Sequence, residues 1–231
     1  LLNEGASHIE FRETSQRPQW PSRQDKVSML LPLGEDADKL WRSFPSKLRS
    51  QIRRAQREDY YIKHGGTELL NDWYRVFARN MRDLGTPVYS KLWFAELLRA
   101  FPNKTSLHVV YIKEKPVSAG FLIGDKSVMQ IPWASTLKEY NHLSVNMLLY
   151  WHVLQFSIAQ KCHWFDFGRS TRDAGTYRFK KQWGAEELPH FWHYALPDGE
   201  TLPAINPDNP KYRLMIAVWQ RLPVWLTRII G

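Results

Sequence analysis

The sequence has one cysteine, Cys162, so it can build neither an intrachain disulfide framework nor a cysteine-rich metal site, and a reducing cytoplasm fits that usage. It has no apolar run approaching the ~18 residues that a membrane-crossing helix needs, and no charged start followed by an apolar signal core. An initiator Met is also missing, and the chain reads as a soluble piece of something longer. Its eight histidines form no H-E-x-x-H or comparable spacing, so no metal is expected, and His190 and His193 fall in an aromatic strand where packing accounts for them. Ser170 is not set in a G-x-S-x-G turn and Cys162 has no base beside it, which leaves covalent catalysis unsupported. Internal repeats and low-complexity tracts are absent.

What is present is an ordinary globular balance, 43% apolar and 24% charged, over 231 residues. That length suits one large domain, or one domain and a remnant of a second. Eleven tryptophans are more than such a core commonly holds and suggest a ring-lined groove. The net charge of +9 points to a negative partner: phosphate, nucleic acid or anionic lipid.

The pattern along the chain is informative. HIEFRE (8–13) and KVSMLLPL (26–33) are short strand candidates that cannot form a core by themselves. From Glu35, apolar residues at spacings of three and four (Leu40, Trp41, Phe44, Leu48, Ile52, Ala55) predict a helix, interrupted or restarted at Pro45. There follow a strand at 59–63, helices at about 67–83 and 90–101 separated by Gly85-Thr86-Pro87, and a three-strand meander starting at 107, 116 and 127. A helix over 144–161, a strand HWFDF at 163, a helix near 174–183 and a strand PHFWHYAL at 189 complete the series. This order resembles that of the acetyltransferase-like (GNAT) fold, an α/β class with a central mixed sheet flanked by helices. The crossover helix requires strands 127 and 163 to be parallel, which opens a crevice at their ends.

Chemistry concentrates in FDFGRSTRDAGTYRFKKQWGAE, residues 165–186. The strand is expected to end at Asp166 and turn at Gly168, leaving Arg169 to Asp173 as a polar loop into a helix where Tyr177 and Lys180 share a face. Acyl transfer needs a group to take a proton and a positive group where the carbonyl oxygen becomes an oxyanion. Asp166 fits the first role and Lys180 the second, with Tyr177 the third catalytic candidate; the competing reading is an Asp166–Arg169 ion pair with Lys180 on a solvated face.

DFGRS followed by GTYRFKKQWG resembles the FemAB-like acyltransferases, particularly the subgroup that accompanies PEP-CTERM and exosortase systems in exopolysaccharide-making bacteria. WRSFPSKLRSQIRRA (from 41), NMRDLGTPVY (from 80), IPWAS (from 131) and NMLLYW (from 146) are similar to that subgroup as well. FemAB enzymes have two GNAT-like lobes, use aminoacyl-tRNA and extend peptidoglycan bridges. The resemblance implies that Phe179-Lys180 is the Phe-Lys pair of the last catalytic helix, with Lys180 steadying carbonyl or phosphate charge. It further implies that residues 1–35 are a remnant or linker from a missing N-terminal lobe, 36–200 the GNAT-like domain and 201–231 a Pro-rich tail with an amphipathic helix.

The Gln/Arg-x-x-Gly-x-Gly/Ala loop with which acetyl-CoA enzymes hold pyrophosphate is replaced by TLKEYNHLSVN, and no coiled-coil arm for tRNA is seen. The donor is therefore either aminoacyl-tRNA or acyl-CoA, with no tightly bound cofactor. Asn146, near a helix start, either orients that donor or caps the helix. Arg42, Lys47, Arg49, Arg53, Arg54 and Arg57 occupy a stretch without acid and suit a tRNA backbone, a nucleotide-linked precursor or undecaprenyl pyrophosphate, unless they form a solvated face.

The expected enzyme transfers an acyl or aminoacyl group directly to an amine or hydroxyl of an envelope glycan or peptide precursor, the acceptor entering over Arg169 and Trp183, with Ser170 as a further substrate-binding residue. The alternatives are an acyl-CoA-dependent N-acetyltransferase-like enzyme and a non-catalytic accessory in which Trp133, Trp151 and Trp183 stack on sugars. In the tail, Tyr212, Met215, Trp219, Leu222, Leu226 and Ile229 line one side, with Pro223 as a kink. That helix either packs on the missing lobe or meets a membrane, so the expected location is cytoplasmic with possible peripheral contact at the inner membrane.

Overall fold

A computed structural model describes residues 5–197, 199–202 and 210–231. Residues 1–4 of the N-terminal segment, the Pro-rich stretch 203–209 and the Tyr212 side chain, which the sequence assigned to the tail, lie outside the described residues. In chain order the elements are β1 (Ile9–Glu13), β2 (Ser22–Arg23), β3 (Lys26–Pro32), α1 (Ala37–Ser43), α2 (Ser46–Ala55), β4 (Tyr60–Gly65), α3 (Leu70–Leu84) and α4 (Lys91–Ala100). Then come β5 (Thr105–Ile112), β6 (Lys115–Gly124), β7 (Val128–Thr136), α5 (Val145–Ala159), β8 (Trp164–Thr171), α6 (Gly175–Lys181), β9 (Glu186–Pro189), β10 (Phe191–Ala195), α7 (Pro210–Arg221) and α8 (Val224–Ile230). The expected order of helices and strands is present, and the mixed α/β class with it. The chain forms two compact units, one within residues 32–165 and 208–231, the other within 1–31 and 166–207.

In the larger unit β4, β5, β6 and β7 form the antiparallel meander. Its β5–β6 turn puts Lys113 (φ 46°) and Glu114 (φ 65°) in the left-handed region, the geometry that matches strand twist in a tight hairpin. Strand alternation sends Leu107, Val109, Tyr111, Ala119 and Phe121 to one core shared with α3 and α4. Residues of opposite parity meet α5: a side chain on Gly120 would stand 3.7 Å from Leu149, and the His108 ring lies 5.2 Å from His152. Helices thus cover both faces, which is why Pro116–Leu122 is buried without a break. The His163 and Trp164 N–H groups donate to the Lys126 and Ser127 carbonyls, so β8 starts parallel to β7 and the sheet is mixed, as the crossover rule requires.

Phe94 is the hub of the first core. It is fully buried, with ring centroids at 4.6 Å from Trp73, 5.1 Å from Phe77 and 5.2 Å from Trp133. Pro45 breaks the basic helix as predicted: α2 restarts behind it, burying Leu48, Ile52 and Ala55 while Arg53 and Arg54 stay exposed. The tail helix is likewise split at Pro223.

In the smaller unit β10 lies between β1 and β2, and β3 lies between β8 and β9. β3 runs antiparallel to β9, from Val27 opposite Pro189 to Leu30 opposite Glu186, and Val27 and Met29 are fully buried. β9 was not expected from the sequence. A second difference is that β8 does not stop at Asp166 but continues to Thr171, so Arg169 and Ser170 belong to a strand rather than to a polar loop. The reason is tertiary: β3 supplies a ladder partner, seen where Arg172 N–H donates to the Asp25 carbonyl at 2.9 Å, and this outweighs local turn signals.

Candidate active site

The smaller unit assembles the site from β8 and α6. Along β8, Asp166, Gly168 and Ser170 recur at the two-residue period of a strand. Gly168 has φ +79°, a conformation that favours glycine, and this local twist turns its carbonyl toward α6. Asp173, also left-handed at φ 63°, reverses the chain, and α6 then brings Lys180 back over Gly168, its Nζ 3.9 Å from where a side chain there would start. The Asp166 carboxylate closes the turn by accepting the Gly168 N–H at 2.6 Å.

Lys180 is buried, which corrects the solvated-face reading. Its Nζ donates to the Gly168 carbonyl at 2.9 Å and to the Arg169 carbonyl at 3.0 Å. An ammonium has three N–H donors, and with two acceptors among the described residues a third N–H can serve a further acceptor. Burial lowers the amine to about 8, against the opposing pull of Asp166. The Ser170 hydroxyl is buried nearby in sequence with no hydrogen-bond partner among the described residues, a state that costs about 1–3 kcal/mol unless a ligand or water fills it.

Tyr177 has a different environment. Its hydroxyl donates to Glu187, which also accepts from Arg172 Nε at 3.0 Å, and that bond raises the phenol above its ordinary value and keeps it protonated. Arg169 is exposed, its guanidinium 5.4 Å from the centre of the Trp192 ring, with that of Arg12 4.1 Å from the same ring. Trp183 is a core residue, 1% exposed beside Phe167 and Phe179, and offers no open face for an acceptor to cross. Trp151 is closed in the same way, its ring centre 5.1 Å from that of Trp41, so neither ring can stack on a sugar. Glu187 and the Ser28–His190 hydrogen bond (2.8 Å) escaped the sequence reading because β9 and the position of β3 were not foreseen.

The other predicted site residues belong to the larger unit. Trp133 is half-buried within the aromatic core, and Asn146 is the second residue of α5, behind a left-handed Ser144 whose side chain makes no cap. Arg53 lies 5.5 Å from the Trp41 ring and Arg54 reaches the His142 carbonyl at 3.5 Å, with no acidic partner for either among the described residues.

Residues 42–181, more than half of the chain, match the family described as an acetyltransferase (GNAT) domain. The chain belongs to this GNAT family. That family is one of acyltransferases, and the matched span ends one residue after Lys180. Among solved structures this GNAT chain is similar to FemX, with a TM-score of 0.64 at 13% identity over 82% of this chain and 64% of that one. It is similar to L-PGS from Bacillus licheniformis at 0.60 and 13%, covering 88% of this chain and 68% of that one. It also resembles the C-terminal domain (DUF2156) of a putative lysylphosphatidylglycerol synthetase from Agrobacterium fabrum at 0.58 and 11%, covering 75% and 61%. The chain thus spans less than two thirds of the FemX and Agrobacterium chains. At these identities the likeness is one of fold. No curated protein matches the sequence.

Proposed function

We propose that this GNAT chain transfers an acyl or aminoacyl group from an anionic donor, an aminoacyl-tRNA or an acyl-CoA, to an amine or hydroxyl of a cell-envelope precursor. The attack is direct. The observation that carries the reading is the buried ammonium of Lys180, held by two backbone carbonyls with a third N–H able to serve a further acceptor. As the acceptor nitrogen or oxygen bonds to the donor carbonyl carbon, the carbonyl oxygen becomes an oxyanion and Lys180 donates to it. The acceptor's proton passes to Asp166 and on to the departing ribose oxygen or thiolate as the C–O or C–S bond breaks. Tyr177 acts as a positioning residue, holding Glu187 and the end of α6. Arg169 and Ser170 serve as acceptor contacts, Arg169 offering its guanidinium edge to a phosphate or carboxylate. An exopolysaccharide precursor is one acceptor of this kind.

Trp133, Asn146, Arg53 and Arg54 are assigned to the donor. The exposed, acid-free face of α2 favours a polyphosphate or nucleic-acid backbone. A second reading, acyl-CoA as donor, is favoured by the start of α5, whose first turn has no acid and no side-chain cap, an arrangement open to a pyrophosphate. Residues 1–35 are proposed to continue from a preceding GNAT-like lobe. Native mass spectrometry of protein isolated from its own host, before and after RNase, separates the donors: an RNase-sensitive adduct is expected for aminoacyl-tRNA and a CoA-sized adduct for the second reading. A glycan adduct alone, with no turnover, would contradict both.

A further inference from the structure

Helices α7 and α8 pack on the larger unit on one side and expose apolar side chains on the other. Inward, Val224 packs on the core around Trp73 and Phe94, and Thr227 is fully buried. α3 ties the pair down, Arg82 donating to the Leu222 carbonyl at 3.2 Å and the Asp83 carbonyl accepting from Gln220 at 3.1 Å. Outward, Leu214 is 68% exposed, Trp225 63% and Ile229 71%, with Met215 and Val218 also open. Leu214 and Val218, like Trp225 and Ile229, are four apart and share a face. Large apolar side chains left open on the outer side of a packed helix pair call for a partner.

The open surface extends beyond the two helices. Ile216 packs so closely on Gly85 that a side chain there would stand 2.5 Å away, and this joins α7 to exposed Leu84. Gly231 lies against the Val88 backbone, next to exposed Tyr89, whose ring stacks on Trp93 at 4.9 Å. The exposed apolar residues of α7 and α8 thus adjoin those of the 84–93 segment at two points, and large exposed apolar patches mark interaction surfaces.

The charge around this surface selects its occupant. Residues 210–231 contain no Asp or Glu, while Arg213, Arg221 and Arg228 are all exposed. A second copy of a chain with net charge +9 would bring like charges together, whereas an anionic lipid surface complements them. No helix among the described residues is long and apolar enough to cross a membrane, so the fitting geometry lies along the surface. We propose that α7, α8 and the Leu84–Trp93 segment dock on an anionic bilayer, Trp225 and Ile229 entering the interface while the arginines meet headgroup phosphates.

The test is co-sedimentation of the whole chain with vesicles of phosphatidylglycerol and phosphatidylcholine, and with phosphatidylcholine alone. Binding to the anionic vesicles is expected, and Trp225→Ser with Ile229→Ser should weaken it at least about tenfold, since each apolar side chain contributes strongly to partitioning. Because both side chains are exposed, the double variant should keep the parental melting temperature. Absence of parental binding, or binding unchanged by the double variant, overturns the assignment, as does a dimer by light scattering that the double variant abolishes. Lys180→Ala should bind vesicles normally, so failure of the catalytic reading and failure of this one are distinguishable.

Discussion

Lys180→Ala should lower transfer by about 10²–10³-fold, the usual effect of removing one oxyanion donor. Binding of donor and acceptor should stay nearly intact, so the loss falls on kcat rather than KM. The cause is specific to the buried ammonium. With Gly168 and Arg169 carbonyls holding it at 2.9 and 3.0 Å, it needs little reorganisation when negative charge develops beside it. Lys180→Met, which fills the same space without charge, should be equally slow, showing that charge rather than packing is lost. Full turnover by either variant would remove Lys180 from the chemistry.

Phe94→Ala should destabilise the larger unit by about 3–5 kcal/mol, the cost of emptying a large buried aromatic site. Collapse into the space is opposed: Trp73 and Phe77 of α3, Phe121 of β6 and Trp133 of β7 all pack on the ring, and each is held by a helix or strand. Urea unfolding followed by circular dichroism measures the change. A loss below about 1 kcal/mol would mean that the aromatic cluster is looser than its geometry indicates. Single exposed substitutions on α2, such as Arg53→Ala, serve as controls because surface changes are small.

Much of this was legible in the sequence, for identifiable reasons. α3, α4 and the meander could be read because their apolar residues follow the 3.6 and 2.0 periods, and α5 because a long apolar run between strands needs a crossover. Pro45 and Pro223 marked breaks through the geometry of proline itself. β9 and the extension of β8 were hidden because both depend on β3, a neighbour far away in the chain, and no local pattern reports such a pairing. Lys180 was found by residue type and by resemblance, but its burial was not, since a lysine in a basic stretch looks solvated until Gly168 and Arg169 are seen to turn their carbonyls to it. Trp183 illustrates the reverse error: an aromatic beside a catalytic helix reads as a binding platform, yet it fills the core beneath that helix.

The most direct measurement is the pH dependence of kcat for the parent and for Lys180→Arg. Burial lowers Lys180 to about 8, so its charged form is full below that pH and is lost above it. Turnover should fall about tenfold per pH unit above roughly 8, a limb missing in Lys180→Arg, whose guanidinium stays charged. Stability should move the other way. Between about 8 and the ordinary lysine value the unfolded chain binds more protons than the folded one, so the cost of burying the ammonium disappears and the fold gains stability as activity is lost. Turnover that rises through pH 8, or a limb unchanged in Lys180→Arg, would contradict the assignment of Lys180 as the charged oxyanion donor.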